Sequence, residues 1–120
     1  MTLRRSLRPL LALAISVSLV AGFGATAEGV TVARVRASGT RFRPKLLSVS
    51  RGTKVIWKST LGNHTVTAYG GNWHKDSAIP EGTRTHFTFD TRGTYKYYCK
   101  IHGFISGGQC SGMCGKVVVG

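Results

Sequence analysis

The chain has 120 residues, room for one small domain. Hydrophobic residues make up 42% and charged residues 18%, the proportions of a folded protein, which excludes a wholly disordered chain. Seventeen lysines and arginines face only Glu28, Asp76, Glu81 and Asp90, a net charge of +13 that favours an anionic partner through long-range steering.

The first residues read as an address rather than as fold. Arg4, Arg5 and Arg8 precede an apolar run from Leu10 to Val20 that only two serines interrupt, and Ala25-Thr26-Ala27 follows as a small-x-small cleavage site. This pattern predicts a secretory signal peptide over 1–27 and a mature domain over 28–120. An uncleaved membrane anchor is the competing reading, but the apolar core is short for a span. The mature domain carries +10 and is expected in the periplasm or outside the cell, with no stable membrane insertion after cleavage. All three cysteines, Cys99, Cys110 and Cys114, lie in it. In an oxidising compartment spare thiols tend to pair, and an odd count leaves one over. If Cys110 pairs with Cys114, the odd one is Cys99.

From Gly29 onward the chain shows no long helical periodicity. Val30 to Val35 is β-branched and alternates imperfectly, and Pro44 marks Arg41-Phe42-Arg43 as an edge or bend. Leu47 to Val49 is a short strand closed by Ser50-Arg51-Gly52. Val55 and Trp57 share one face of the next strand, Lys54 and Lys58 the other. Leu61-Gly62-Asn63 connects it to a strand over His64 to Ala68, and Tyr69 to Glu81 reads as irregular. Thr85 to Asp90 alternates strictly, with Phe87 and Phe89 inward and His86 outward. Thr94 to Cys99 and Lys116 to Val119 complete a set of about seven or eight short strands. Such spacing predicts an all-β sandwich or barrel.

The chemistry gathers in Tyr97-Tyr98-Cys99-Lys100-Ile101-His102 and the segment running to Met113. Thiolate, imidazole and thioether form a soft set that suits copper, and a trigonal His₂Cys set with a weak axial Met is the electron-transfer copper geometry. A second imidazole must come from upstream. His86 faces solvent and His74 reads as a surface residue beside Trp73. His64 opens a strand after a short loop, which makes it the best candidate.

The whole pattern is more specific than its parts. Phe42-x-Pro44-x-x-Leu47-x-Val49-x-x-Gly52-x-x-Val55-x-Trp57, then His64-Thr65-Val66, then Gly93-Thr94-Tyr95-x-Tyr97-Tyr98-Cys99-x-x-His102, closes with Met113-x-Gly115-x-Val117-x-Val119. This order resembles the plastocyanin-like cupredoxins, the small blue copper proteins, over essentially all of the mature domain. The resemblance implies a Greek-key β-sandwich holding one type 1 copper, with His64, Cys99 and His102 as ligands and Met113 as the axial one. It also implies that Tyr98, of opposite parity to Cys99, faces outward as a secondary electron port.

The spacing departs from the plastocyanin pattern in one place. Ten residues, Gly103 to Gly112, separate His102 from Met113 and read as a long Gly-rich loop, with Gln109 as the rival axial ligand. A disulfide between Cys110 and Cys114 would stiffen it. The expected function is a one-electron carrier rather than an enzyme, since the ligand set leaves no open position and the acidic residues form no evident acid/base pair. Its expected partner is an acidic redox protein, and the domain is expected to be monomeric. A copper carrier or scavenger without electron transfer is the alternative. A polyanion-binding module is a further one, supported by charge alone, because the basic residues are scattered along the sequence and no nucleic-acid motif is present.

Overall fold

The computed structural model describes residues 29–120; the expected signal segment 1–27 lies outside the described residues. Nine strands form, and no helix is present among the described residues. They are β1 (Val32–Ser38), β2 (Arg41–Arg43), β3 (Leu46–Val49), β4 (Thr53–Leu61), β5 (His64–Tyr69), β6 (Asp76–Ile79), β7 (Arg84–Phe89), β8 (Gly93–Ser106) and β9 (Gln109–Val119). One sheet has the order β2-β1-β4-β7 and the other β3-β9-β8-β5-β6. Both are mixed: β1 runs parallel to β4, and β3 parallel to β9, while every other pair is antiparallel.

Period-2 patterning explains how the two sheets close on each other. In β4, Thr53, Val55, Trp57 and Ser59 are buried while Lys58 and Thr60 are exposed. In β8, Tyr95, Tyr97 and Cys99 turn inward together, as their shared parity predicts. The core between the sheets is largely aromatic. Trp57 lies edge-on to Tyr97 and Phe89 at 5.4 and 6.3 Å between ring centroids, and Trp73 covers Phe87 and Phe89 at 5.2 and 5.4 Å. Trp73 donates its indole N–H to the Lys96 carbonyl at 2.9 Å, and the Tyr95 hydroxyl reaches back to the Thr91 carbonyl at 2.6 Å. These bonds satisfy the polar ends of large side chains that would otherwise be costly to bury. Trp57 Nε1 and the Tyr97 hydroxyl are the two buried side-chain polar atoms without a partner among the described residues. Burial holds the Tyr97 hydroxyl well above the ordinary phenol range.

Three elements differ from the sequence expectation. The strands number nine rather than seven or eight. The region taken as irregular contains β6, an edge strand with Ile79 as its one fully buried side chain, so almost no hydrophobic alternation marks it. The supposed loop of Gly103 to Gly112 is a β-hairpin: Gly103 pairs with Gly112, Phe104 with Ser111, Ile105 with Cys110 and Ser106 with Gln109. Gly107 and Gly108 turn it at φ of 57° and 74°, the left-handed region that a two-residue hairpin turn needs at both positions.

The strand β9 passes beneath the aromatic core at Gly115, opposite Tyr97. A Cβ there would collide with the Tyr97 ring, so the missing side chain is what makes room for the ring. Gly115→Ala is expected to displace Tyr97 and destabilise the fold by about 1–3 kcal/mol, read as a lower urea midpoint at unchanged m-value.

Candidate metal centre

The strand β8 is interrupted by a bulge at the place where the candidate ligands lie. Tyr98 pairs with Cys114 and Gly103 with Gly112, so four residues of β8, Cys99 to His102, stand against one residue of β9, Met113. Cys99 and His102 are three apart, and in a regular strand they would point to opposite faces. The extra residues turn both to one side. Cys99 Sγ lies 3.6 Å from His102 Nδ1. The close approach of the two strands rests on glycine: a Cβ at Gly103 or Gly112 would meet opposing backbone, and Gly112 also sits at φ +82°.

His64 arrives from β5, the strand next to β8 in the same sheet. Its Nδ1 is 3.8 Å from Cys99 Sγ, and its ring centroid is 5.0 Å from that of His102. Its Nε2 donates to the Leu61 carbonyl at 2.7 Å; since a carbonyl only accepts, the proton sits on Nε2 and the Nδ1 lone pair is left for a metal. The Leu61 carbonyl also accepts the Gly39 N–H. The turn itself is braced by Glu81, which accepts the Gly62 N–H and donates its own N–H to Asn63 Oδ1. The β4–β5 connection that sequence patterning left as a plain polar link is therefore a fixed support for the imidazole.

One donor atom each from His64, Cys99 and His102 lies within 4.8 Å of the others. A first-row metal bonded to sulfur at about 2.3 Å and nitrogen at about 2.0 Å, with a trigonal angle, sets those donors about 3.7 Å apart. The two sulfur–nitrogen distances bracket that value, so the donor set fits a metal ion. His64, Cys99 and Met113 are essentially fully buried, and His102 is partly exposed. Gln109, the rival for the axial position, is exposed at the hairpin tip and paired with Ser106, remote in register from the bulge. His74 and His86 are exposed, as expected.

The disulfide is present: Cys110 joins Cys114 with Cα atoms 6.1 Å apart. Four residues of extended strand would span about 13 Å, so β9 is sharply kinked between them, around Gly112 and Met113. The cross-link ties the hairpin arm, close to its tip, to the segment facing the bulge. Cys99 is the unpaired cysteine.

Sequence reasoning missed the residues that hold the bulge. The Thr65 N–H points to Cys99 Sγ at 3.4 Å. The Lys100 N–H donates to Thr65 Oγ1 at 2.9 Å, and Thr67 Oγ1 donates to Asp76 Oδ1 at 2.9 Å. The threonine hydroxyls are 2.9 Å apart; Thr67 has spent its proton on Asp76, so Thr65 donates to Thr67. Lys100 Nζ closes the chain on Asp76 Oδ2 at 2.8 Å. Hydrogen bonds from Lys100 and Thr67 hold the Asp76 carboxyl below its ordinary range, and the bond to Asp76 raises Lys100. The contribution of this depressed carboxylate is therefore present above the usual carboxylate range and fades as pH falls through its lowered pKa. Both side chains are about half exposed, so solvent screens the pair. The alternation Thr65-x-Thr67 was the one available signal, and it reads equally as ordinary strand composition.

Known structures share this architecture. The purple cupredoxin of Nitrosopumilus maritimus superposes with a TM-score of 0.60 at 22% identity, over 73% of this chain and 99% of that one. The reduced state of an amicyanin mutant gives 0.62 at 28% identity, over 78% and 85%. A Cu-containing nitrite reductase from Thermus scotoductus gives 0.59 at 24% identity, over 76% of this chain but 22% of that one. No curated protein sequence matches the chain. The model of the family described as copper binding proteins, plastocyanin/azurin family, matches residues 30–120. The chain therefore belongs to the plastocyanin/azurin family of copper binding proteins, a cupredoxin with His64, Cys99, His102 and Met113 positioned as a type 1 copper site.

Proposed function

We propose that the protein is an exported one-electron carrier, working in the periplasm or at the cell envelope through a single copper held by His64, Cys99 and His102 with Met113 as axial ligand. The observation that carries this reading is the bulge of four residues against one, which gathers a thiol and an imidazole beside a buried thioether. Three strong donors and a weak fourth leave no open position for a substrate, which supports a carrier rather than an enzyme. Bound copper would supply a one-electron couple. The chain supplies the rest: a thiol in a dry core, an imidazole locked by a backbone carbonyl, and a bulge pinned through Thr65. Supports of this kind keep donors in place when the charge between them changes.

His102 is the donor residue that reaches solvent. Exposed Leu61, Ile101 and Phe104, at 58%, 56% and 60%, belong to the end of β4, the bulge and the hairpin. These apolar side chains suit brief docking of a partner protein with electron passage through the imidazole. Tyr98, edge-on to Tyr69 at 5.8 Å on the sheet surface, is the secondary port. The partner is acidic, to match the basic domain, and the carrier is a monomer.

Voltammetry of the copper-loaded protein tests the reading: a reversible one-electron couple is expected, and Met113→Gln is expected to lower its potential by replacing a thioether with a harder oxygen donor. An unchanged potential would remove Met113 from the axial position, and copper bound without a reversible couple would favour a storage role. Electron transfer to an acidic partner should slow as salt rises from low to physiological strength; a flat salt profile would argue against an acidic partner. Thr65→Val strands the Lys100 N–H and is expected to cost about 1–3 kcal/mol in unfolding free energy, measured by urea denaturation of the copper-loaded protein.

A further inference from the structure

Basic residues scattered along the sequence become ordered in the β2-β1-β4-β7 sheet. The register sets Arg43 of β2 opposite Arg36 of β1, Arg36 opposite Lys58 of β4, and Lys58 opposite Arg84 of β7. One cation per strand forms an unbroken row across all four strands, with neighbouring strands about 4.8 Å apart. All four side chains are exposed on the outer face. Arg34 and His86 flank Ile56 in the next row, and Arg41 lies beyond the first.

Nothing in the fold asks for this row. Like charges directly opposite one another destabilise a sheet, and none of the four strands contains an acidic residue to offset them. The single ion pair among the described residues, Lys100–Asp76, belongs to the other sheet. Electron transfer does not explain it either, because Cys99 and His102 sit on β8 in that opposite sheet. The chemistry of the face narrows its ligand. The aromatic residues of these strands, Phe42, Trp57, Phe87 and Phe89, all turn inward, so the face offers no stacking platform of the kind that single-stranded nucleic acids use. Its apolar side chains among the described residues are Val32 and Ile56, too few for the apolar centre of a stable protein interface, and it has no aromatic anchor. A two-dimensional field of cations without anchors matches a plane of anions, and a plane of anions is what the headgroups of an acidic bilayer present.

We propose that the outer face of the β2-β1-β4-β7 sheet docks this domain, reversibly and without insertion, on an anionic lipid surface, leaving the His102 edge free for its redox partner. The row Arg43-Arg36-Lys58-Arg84 makes the contact. The lipid contact is independent of the copper reading; the role of the free His102 edge rests on it.

Co-sedimentation of the full chain with vesicles of phosphatidylcholine, alone or mixed with phosphatidylglycerol, tests it. Every variant carries the same residues 1–28, with Arg4, Arg5 and Arg8, so their contribution is common to all and cancels when row and control variants are compared. The native protein is expected to pellet with the acidic vesicles at low salt and to be released at high salt. Arg36→Gln/Arg43→Gln/Lys58→Gln/Arg84→Gln should bind about tenfold more weakly or worse. Lys45→Gln/Arg51→Gln/Arg92→Gln/Lys116→Gln removes the same net charge from outside the face and should bind nearly as the native protein does. The row variant should melt no lower than native, since it loses a line of repulsions. If it melts lower, the central pair Arg36→Gln/Lys58→Gln replaces it and should still weaken binding more than two substitutions among the control positions. Equal weakening in row and control variants would reduce the effect to net charge and overturn the proposal. So would absence of preference for acidic vesicles, and row-dependent binding to dextran sulfate without vesicle binding would assign the face to an anionic polymer instead.

Discussion

The site depends on one mismatch in strand pairing. Between two regular stretches of the β8–β9 ladder, four residues on one strand occupy the length of one residue on the other. A strand cannot present residues three apart to the same side, so without the bulge Cys99 and His102 would serve opposite faces. With it, the thiol and the imidazole converge, and the single residue left opposite is a buried methionine. The bulge leaves backbone groups out of the ladder, and the fold re-satisfies one of them through Thr65, on the strand that also brings His64. Geometry, second-layer hydrogen bonding and ligand supply thus meet on β5 and β8.

The rest of the sandwich keeps that mismatch in place. An interlocked core of Trp57, Trp73, Phe89, Tyr95 and Tyr97 fills the space between the sheets next to the site. The Cys110–Cys114 cross-link and the close glycine contact at Gly103 and Gly112 hold the opposite wall. The hairpin that lengthens β8 and β9 is the main departure from the shorter ligand segment expected for plastocyanin-like proteins. Met113 still stands directly opposite Cys99 to His102, because the strands re-pair beyond the bulge instead of looping away.

Much of this was legible in the sequence because it rests on local pattern. Parity placed Tyr95, Tyr97 and Cys99 inward and His86 outward, and strand ends singled out His64. What escaped was set by pairing rather than by pattern. The segment β6 is half polar and owes its strand to β5. The Gly103 to Gly112 hairpin hid behind its glycines, although Gly107-Gly108 between two extended runs is a turn signal of the expected kind. The roles of Thr65, Thr67 and Asp76 require knowing which strands lie side by side, as does the cation row, whose four members are spread from position 36 to position 84.

The central claim is that Cys99 is a thiolate bound to copper between His64 and His102. The most direct test is the visible spectrum of the oxidised, copper-loaded protein recorded beside Cys99→Ser. An intense thiolate-to-copper charge-transfer band at one copper per chain, abolished by the substitution, is the predicted result. Uptake of copper without that band, or a band that survives the loss of the Cys99 sulfur, would contradict it.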